Sequence, residues 1–350
     1  MKKLFILFFA SFLIAVSCSQ ESTHIGKAAD FGNYDSEFGK VFEGVSQFAG
    51  TDELHSLIVL KDGQKIYEHY DTGFKPEDLH IMWSASKTFT ATAIGFAVQD
   101  GLLSVNDRVI SYFNDDELPQ ERSEWLQSMT IRDLLIMSSG LGIDGIDKVR
   151  GKVWEHPAAE VLKAPMAFEP GTKYKYNSMN TYLLSEITSR VTGEKTSEYL
   201  NEKLFKPLGI NNWVWEESLD GVTVGGWGLY LNTEDFAKMG QFYLQKGVWE
   251  GKRLLEESWF DEATVRQIDQ YDPETTDAKT IEGYVDDDWK QGYCYQIWRC
   301  THNSYRLDGA HGQICIVIPD KNAVVAVHGH MVKGKRNCIK LIWEHIYPLL

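Results

Sequence analysis

Apolar, β-rich runs stand at both ends of this chain, with a long helical stretch between them. Near the start, Leu57-Ile58-Val59-Leu60 and Lys65-Ile66-Tyr67-Glu68-His69-Tyr70 flank Lys61-Asp62-Gly63-Gln64. Asp-Gly between such runs predicts a hairpin. Near the end, residues 293–299, 304–307, 314–318 and 323–327 are β-rich and separated by turn residues. The middle reads as helices. One begins at Ser84 and closes at Asp100-Gly101 with a glycine C-cap. Residues 131–137 form a short apolar helix stopped by Ser138-Ser139-Gly140. Residues 181–191 and 197–205 are helical, and Thr233 is expected to cap a helix over 234–244. Residues 339–347 read as a closing helix. Strands at both termini fit a sheet assembled from both, with the helical region inserted, which is an α/β (α+β) architecture. The division expected is an α/β sheet domain from 28–83 with 286–350, and a mainly helical domain over 84–285.

A chain of 350 residues that is 43% hydrophobic and 24% charged can fill a core of one large domain or two smaller ones. Its formal net charge of -15 argues against nucleic acid, whose phosphates need a basic patch.

Residues 1–17 read as a signal peptide: Lys2 and Lys3, then an apolar run over 4–16 that is too short to span a bilayer comfortably. Ala15-Val16-Ser17-Cys18 resembles a bacterial lipoprotein cleavage box, although Ala15 stands where leucine is usual. An ordinary signal followed by a chance cysteine is the other reading. Lipidation at Cys18 would leave residues 18–27 as a tether and place the protein on a bacterial membrane, on the periplasmic or cell-surface side. Cys294, Cys300, Cys315 and Cys338 could pair in an exported protein or stay free and buried. Their spacing does not resemble a zinc site.

Chemistry enters at Trp83-Ser84-Ala85-Ser86-Lys87. On a helix, positions i and i+3 share a face, so the Lys87 amine sits one turn from the Ser84 hydroxyl. A serine is a poor nucleophile until a neighbour takes its proton, and a lysine kept neutral by burial can do so. Backbone N–H groups at a helix start favour a developing oxyanion. The four-residue pattern alone also fits a plain helix start.

More distant motifs sharpen the reading. They are Asp100-Gly101-Leu102-Leu103-Ser104-Val105-Asn106-Asp107, then Ile131-Arg132-Asp133-Leu134-Leu135 leading into Ser138-Ser139-Gly140-Leu141. Pro170-Gly171-Thr172, Tyr176-Asn177-Ser178, and Gly225-Gly226 with Leu229, Thr233 and Asp235 follow. In this order they resemble the serine β-lactamase and penicillin-binding-protein superfamily, in the branch of class C β-lactamases, esterases and 6-aminohexanoate-dimer hydrolases. The resemblance implies an antiparallel sheet flanked by helices, an inserted helical domain, and a site in the groove between them.

It also implies roles. Ser84 would be the acylated nucleophile, Lys87 would share its proton, and the Tyr176 phenol would pass a proton to the leaving group. A nearby ammonium would lower the tyrosine's pKa while burial lowers the lysine's. The third motif falls near Leu307-Asp308-Gly309, so that the N–H of Ala310 would join that of Ser84 as the oxyanion hole. Ser178 and Gly309 would contact substrate. His311 would do so as well, or be an ordinary strand-end histidine. The motif lacks lysine and threonine, and a groove-facing Asp308 would repel a carboxylate, so short esters or small amides are expected ahead of penicillins.

The expected function is therefore an exported serine hydrolase of a small-molecule ester or amide, or a short peptide, with a lipid anchor and no cofactor. A non-catalytic penicillin-binding-type protein that holds cell-wall peptide is the alternative, and intact Ser84, Lys87 and Tyr176 speak for the enzyme. His328-Gly329-His330 puts two histidines on one strand face, but no third metal ligand at usual spacing is visible.

Overall fold

The computed structural model describes residues 26–27, 34–272 and 275–350. The expected signal segment and Cys18 lie outside the described residues. Gly26 and Lys27, expected in the tether, instead form an edge strand parallel to Gln64 and Lys65.

Seven strands make the main sheet. In spatial order they are Gly26–Lys27, Gln64–Tyr70, Glu53–Lys61, Ala323–His330, Gln313–Ile318, Tyr305–Gly309 and Trp298–Arg299. Every neighbour beyond the edge pair is antiparallel. The seam is Glu53–Lys61 against Ala323–His330, with Val59 opposite Val325, so the two ends of the chain meet in mid-sheet. Asp62 and Gly63 turn the first hairpin with φ of 51° and 74°, the pair of left-handed residues that a tight hairpin needs.

Alternation along the strands sorts the core into two faces. Leu57, Val59, Ile314, Ile316, Val325 and Val327 pack with the terminal helices Asp35–Phe48 and Lys335–Leu341. Ile58, Leu60, Cys315, Val317, Val324 and Ala326 pack on the other face with Phe89, Phe236 and Met239. Each such side chain contributes about 1.5–3 kcal/mol on full burial. A slip of one residue would exchange the faces, so burial fixes the register.

The helix Thr233–Leu244 lies on this second face, although the sequence division assigns it to the helical part. Gly240 permits the approach, since a Cβ there would stand 2.5 Å from Cys315 Sγ. Asn232 caps it by accepting from Asp235 N, while Thr233, expected as the cap, bonds Ser56 Oγ at 2.6 Å. A second short sheet, of His80–Ile81, Val214–Trp215 and Leu229–Leu231, ties the inserted region to the segment before Ser84.

Of the strand expected over 293–299, only Trp298–Arg299 forms one. Gln296 takes φ 59° and turns the chain, so Cys294 N donates to Ile297 O within the segment. Cys294, Cys300, Cys315 and Cys338 are all free and buried.

Candidate active site

The helix expected from Ser84 starts two residues later. Trp83–Ala85 is a 3-10 turn, and Ser86–Gln99 is the helix that follows. Met82 N donates to Leu229 O at 2.7 Å, which fixes the turn's entry on the short sheet. Trp83 itself sits in the left-handed region at φ 46°, a conformation that costs an ordinary residue about 1 kcal/mol or more. Ser84 is half-buried at the groove, and Lys87 is buried beneath it. The helix carries three buried threonines whose hydroxyls are all used: Thr88 donates to Gln296 O, Thr90 to Gly225 O and Thr92 to Thr88 O. The first two bonds tie the helix, and Lys87 with it, to flanking loops of the groove wall.

Lys87 Nζ donates to Gly226 O at 2.6 Å and to Ser178 Oγ at 3.1 Å. It is 1% exposed. Burial drives its pKa down to about 7, against the opposing pull of the Asp144 carboxylate. At neutral pH a large fraction of Lys87 is therefore free amine.

Tyr176 lies 5.3 Å, ring centroid to ammonium nitrogen, from Lys87. Its ring stacks on Trp298 at 5.9 Å and meets Tyr293 edge-on at 6.3 Å. Burial raises its phenol above the ordinary tyrosine range, Ser84 as a hydrogen-bonding neighbour lowers it, and Asp308 and Asp144 raise it further. This corrects the expectation of a depressed tyrosine. Desolvation is the largest influence on the phenol, and the hydrogen bond with Ser84 does not offset it. Burial thus favours the protonated phenol of Tyr176 and the free amine of Lys87.

Asn177 caps the helix Ser178–Thr192 by accepting from Met179 N, and its amide donates to Ile143 O at 2.8 Å. One residue thereby places Tyr176, Ser178 and the loop that carries Asp144.

The strand Tyr305–Gly309 runs against the 3-10 turn that carries Ser84. Gly309 is what lets it come close: a Cβ there would lie 2.2 Å from Met82 O. Ala310 follows on the exposed side and opens a 3-10 turn to Gly312. His311 is half-buried at φ 59°, 5.5 Å edge-on from the Trp83 ring and 5.4 Å from His330.

Asp308 does not present a bare charge to the groove. Its carboxylate accepts from Arg306 Nε at 2.7 Å and from Lys335 Nζ at 2.5 Å. The repulsion expected from it is cancelled by two cations, one of them from a helix near the chain's end.

His328 and His330 are not a paired ligand set. A register shift between His328 and Gly329 separates them. His328 is fully buried, stacked on His80 at 4.6 Å and bonded to Gln313 Oε1 at 2.7 Å, while His330 is exposed. Among the described residues no group of three or more histidine, cysteine or acidic side chains could hold a metal ion.

Sequence reasoning missed four contributors: the Gly226 carbonyl, Asp144, Gln296 and Lys335. Gln296 donates to Leu134 O and Leu135 O and accepts from Thr181 Oγ1, joining three segments behind the site. Gly225-Gly226 was legible as a motif, but a backbone carbonyl carries no residue-type signal. Nothing local to Asp144 or Lys335 in the chain marks a site.

A half-buried serine at a turn-helix junction with a buried lysine three residues on, between a sheet and a helical insertion, is the arrangement of a serine hydrolase. The chain belongs to the Beta-lactamase family, whose profile matches residues 48–337. It is 23% identical over 291 residues to the 6-aminohexanoate-dimer hydrolase of Paenarthrobacter ureafaciens, covering 77% of this chain and 71% of that one. With an uncharacterized protein of Alkalihalophilus pseudofirmus it shares 28% identity over 193 residues, 49% of this chain and only half of that relative's length. The fold matches the octameric penicillin-binding protein homologue from Pyrococcus abyssi with a TM-score of 0.66, at 20% identity, over 88% of this chain and 76% of that one. A serine hydrolase of this family is the class that these comparisons support.

Proposed function

We propose that this protein hydrolyses an ester or linear amide of a small molecule or short peptide through an acyl-enzyme on Ser84. The observation that carries the reading is the state of Lys87: buried, discharged near neutral pH, and one turn from the serine. A neutral amine has two N–H bonds and one lone pair. Gly226 O and Ser178 Oγ take the two N–H bonds. The lone pair is left for the Ser84 proton.

In acylation Ser84 Oγ attacks the substrate carbonyl carbon and its proton passes to Lys87 Nζ. The carbonyl oxygen becomes an oxyanion facing the N–H groups of Ser84 and Ala310. Tyr176 gives its phenolic proton to the leaving oxygen or nitrogen as that bond breaks, and regains one from Lys87. Water then attacks the acyl carbon, its proton returning through the same pair, and Ser84 is released as the alcohol. A protonated Tyr176 suits the donor role, because a phenol that stays neutral holds its proton until the leaving group's charge develops. Export with a lipid on Cys18 is part of the proposal, supported by the apolar run that ends there.

The test is treatment with a fluorophosphonate and mapping of the adduct by mass spectrometry. An adduct on Ser84, lost in Ser84→Ala, is expected. Full-length folded protein that takes no label, and turns over no ester or amide, would favour a binding protein instead.

A further inference from the structure

Among the described residues, one arginine beside the groove donates to no protein acceptor. Nine of the ten arginines donate to a protein acceptor: Arg108, Arg122, Arg132, Arg190, Arg253, Arg266, Arg299, Arg306 and Arg336. Arg150 is the tenth. It is exposed, and no hydrogen bond or ion pair engages it among the described residues. Its guanidinium lies over the Trp83 indole, 5.0 Å from the ring centroid. Trp83 adjoins Ser84 and meets His311, the neighbour of Ala310, edge-on. Arg150 therefore stands at the lip of the groove, one indole away from the residues around the nucleophile.

Stacking holds a guanidinium by its face and leaves its edge N–H groups free. Two such groups in a planar fork match a carboxylate. The backbone adds to the case, since Trp83 is held at φ 46° beside the nucleophile. Its position is set by the same turn that sets Ser84. In a chain with a net charge of -15, a local cation favours the approach of an anion against the general field. The third strand does not supply one, because Lys335 and Arg306 are both engaged by Asp308. His311 meets the same indole, and Tyr230, which donates to Glu216 Oε1, lies within the electrostatic reach of Arg150.

We infer that Arg150, stacked on Trp83, is the specificity residue of this site and selects substrates that carry a carboxylate near the scissile bond. The inference rests on the hydrolase reading above and deepens it. Arg150 acts on binding alone, so its loss should raise KM for anionic substrates and leave kcat nearly unchanged, the mark of uniform binding.

The experiment compares matched p-nitrophenyl esters: butyrate, which is neutral, and the mono-esters of succinate and glutarate, which place a carboxylate on the acyl side. A second pair, phenyl and 4-carboxyphenyl butyrate, places it on the leaving group. In one of the two series the wild type should prefer the anion. Arg150→Ala should lower kcat/KM for that anion by about ten- to a hundredfold, the worth of a charge-assisted hydrogen bond, and leave its neutral partner within about twofold. Arg150→Lys should restore part of the preference, and Arg150→Glu should reverse it. Arg150 makes no hydrogen bond, so these variants should melt with the wild type. Neutral-to-anion ratios that are unchanged in both series by Arg150→Ala overturn the inference while leaving the hydrolase intact. Absence of all turnover in the wild type sinks the hydrolase reading itself.

Discussion

Gly226 holds Lys87 from both its backbone and its missing side chain. Its carbonyl oxygen accepts from Lys87 Nζ at 2.6 Å. A Cβ built on it would lie 3.1 Å from that same nitrogen and 3.0 Å from Ser178 O. The amine is thus clamped where a methyl group would push it. Gly226→Ala should shift Lys87 and cut kcat/KM by about tenfold or more, as small misplacements of a catalytic group do, with little change in melting temperature. A Gly226→Ala enzyme of wild-type activity would show that this clamp is dispensable.

The discharge of Lys87 sets the pH profile. Its native pKa is about 7 because of burial, against an ordinary lysine value above 10. Below that pH the base is protonated, so kcat/KM should fall about tenfold per pH unit on the acid side and level off above it. Tyr176, raised by burial, should add no alkaline limb within the range of ordinary work. Stability follows the same sign. Between about pH 7 and the ordinary lysine pKa the unfolded chain binds more protons than the native one, so the Lys87 contribution to stability rises with pH across that window. A profile that rises only with the ordinary pKa of a solvated lysine would contradict this assignment.

Lys87 and Tyr176 should behave as one unit. Lys87→Ala or Tyr176→Phe alone should each cost several kcal/mol of transition-state stabilisation, and the double variant about the same as the worse single one. The cycle is measured on kcat/KM for one p-nitrophenyl ester. Additive losses would reduce Tyr176 to a packing residue against Trp298.

The sheet was readable in advance because burial on both faces leaves continuous β-rich runs, and because Asp62-Gly63 has a turn requirement that few other pairs meet. Ser84, Lys87 and Tyr176 were legible as motif residues, the first two by their three-residue spacing and Tyr176 through the Tyr176-Asn177-Ser178 pattern. Gly309 was placed for its position in a motif, and its close approach to Met82 O is the physical reason glycine stands there. What stayed hidden came from distance or from the backbone. Lys335 meets Asp308 only through the fold. The Gly226 carbonyl has no side chain to announce it. The direction of the Tyr176 shift follows from its own burial, and a sequence does not report degrees of desolvation.

Anchoring should depend on Cys18. The apolar run over 4–16 that ends at Ala15-Val16-Ser17-Cys18 motivates a mature protein that begins at the lipidated cysteine. Expressed in a bacterium with its own leader, the wild type should partition with membranes and incorporate labelled fatty acid. Cys18→Ala should be released as a soluble or unprocessed form. Recovery of the wild type from the cytoplasm with Met1 intact would end this proposal.

The last prediction concerns Asp308, which joins the third strand to the helix Lys335–Leu341. Burial alone would raise its carboxyl, yet Lys335 and Arg306 outweigh it and hold the group below the usual carboxylate range. A depressed carboxyl contributes stability that is present above its unfolded pKa and is lost as pH falls through the native value. Arg306 is fully buried, and its Nη2 already lacks a partner. Removing the countercharge leaves a buried guanidinium uncompensated, which costs about 3 kcal/mol or more. Asp308→Asn should therefore lower the urea midpoint at neutral pH by an amount that corresponds to that loss. The gap to wild type should narrow in acid, as the wild-type carboxyl takes up its own proton. The variant also frees the Lys335 ammonium beside Gly309 O, 3.3 Å away, so any folded fraction should gain affinity for anionic esters. Equal urea midpoints at neutral pH would mean that solvent, and not Asp308, compensates Arg306.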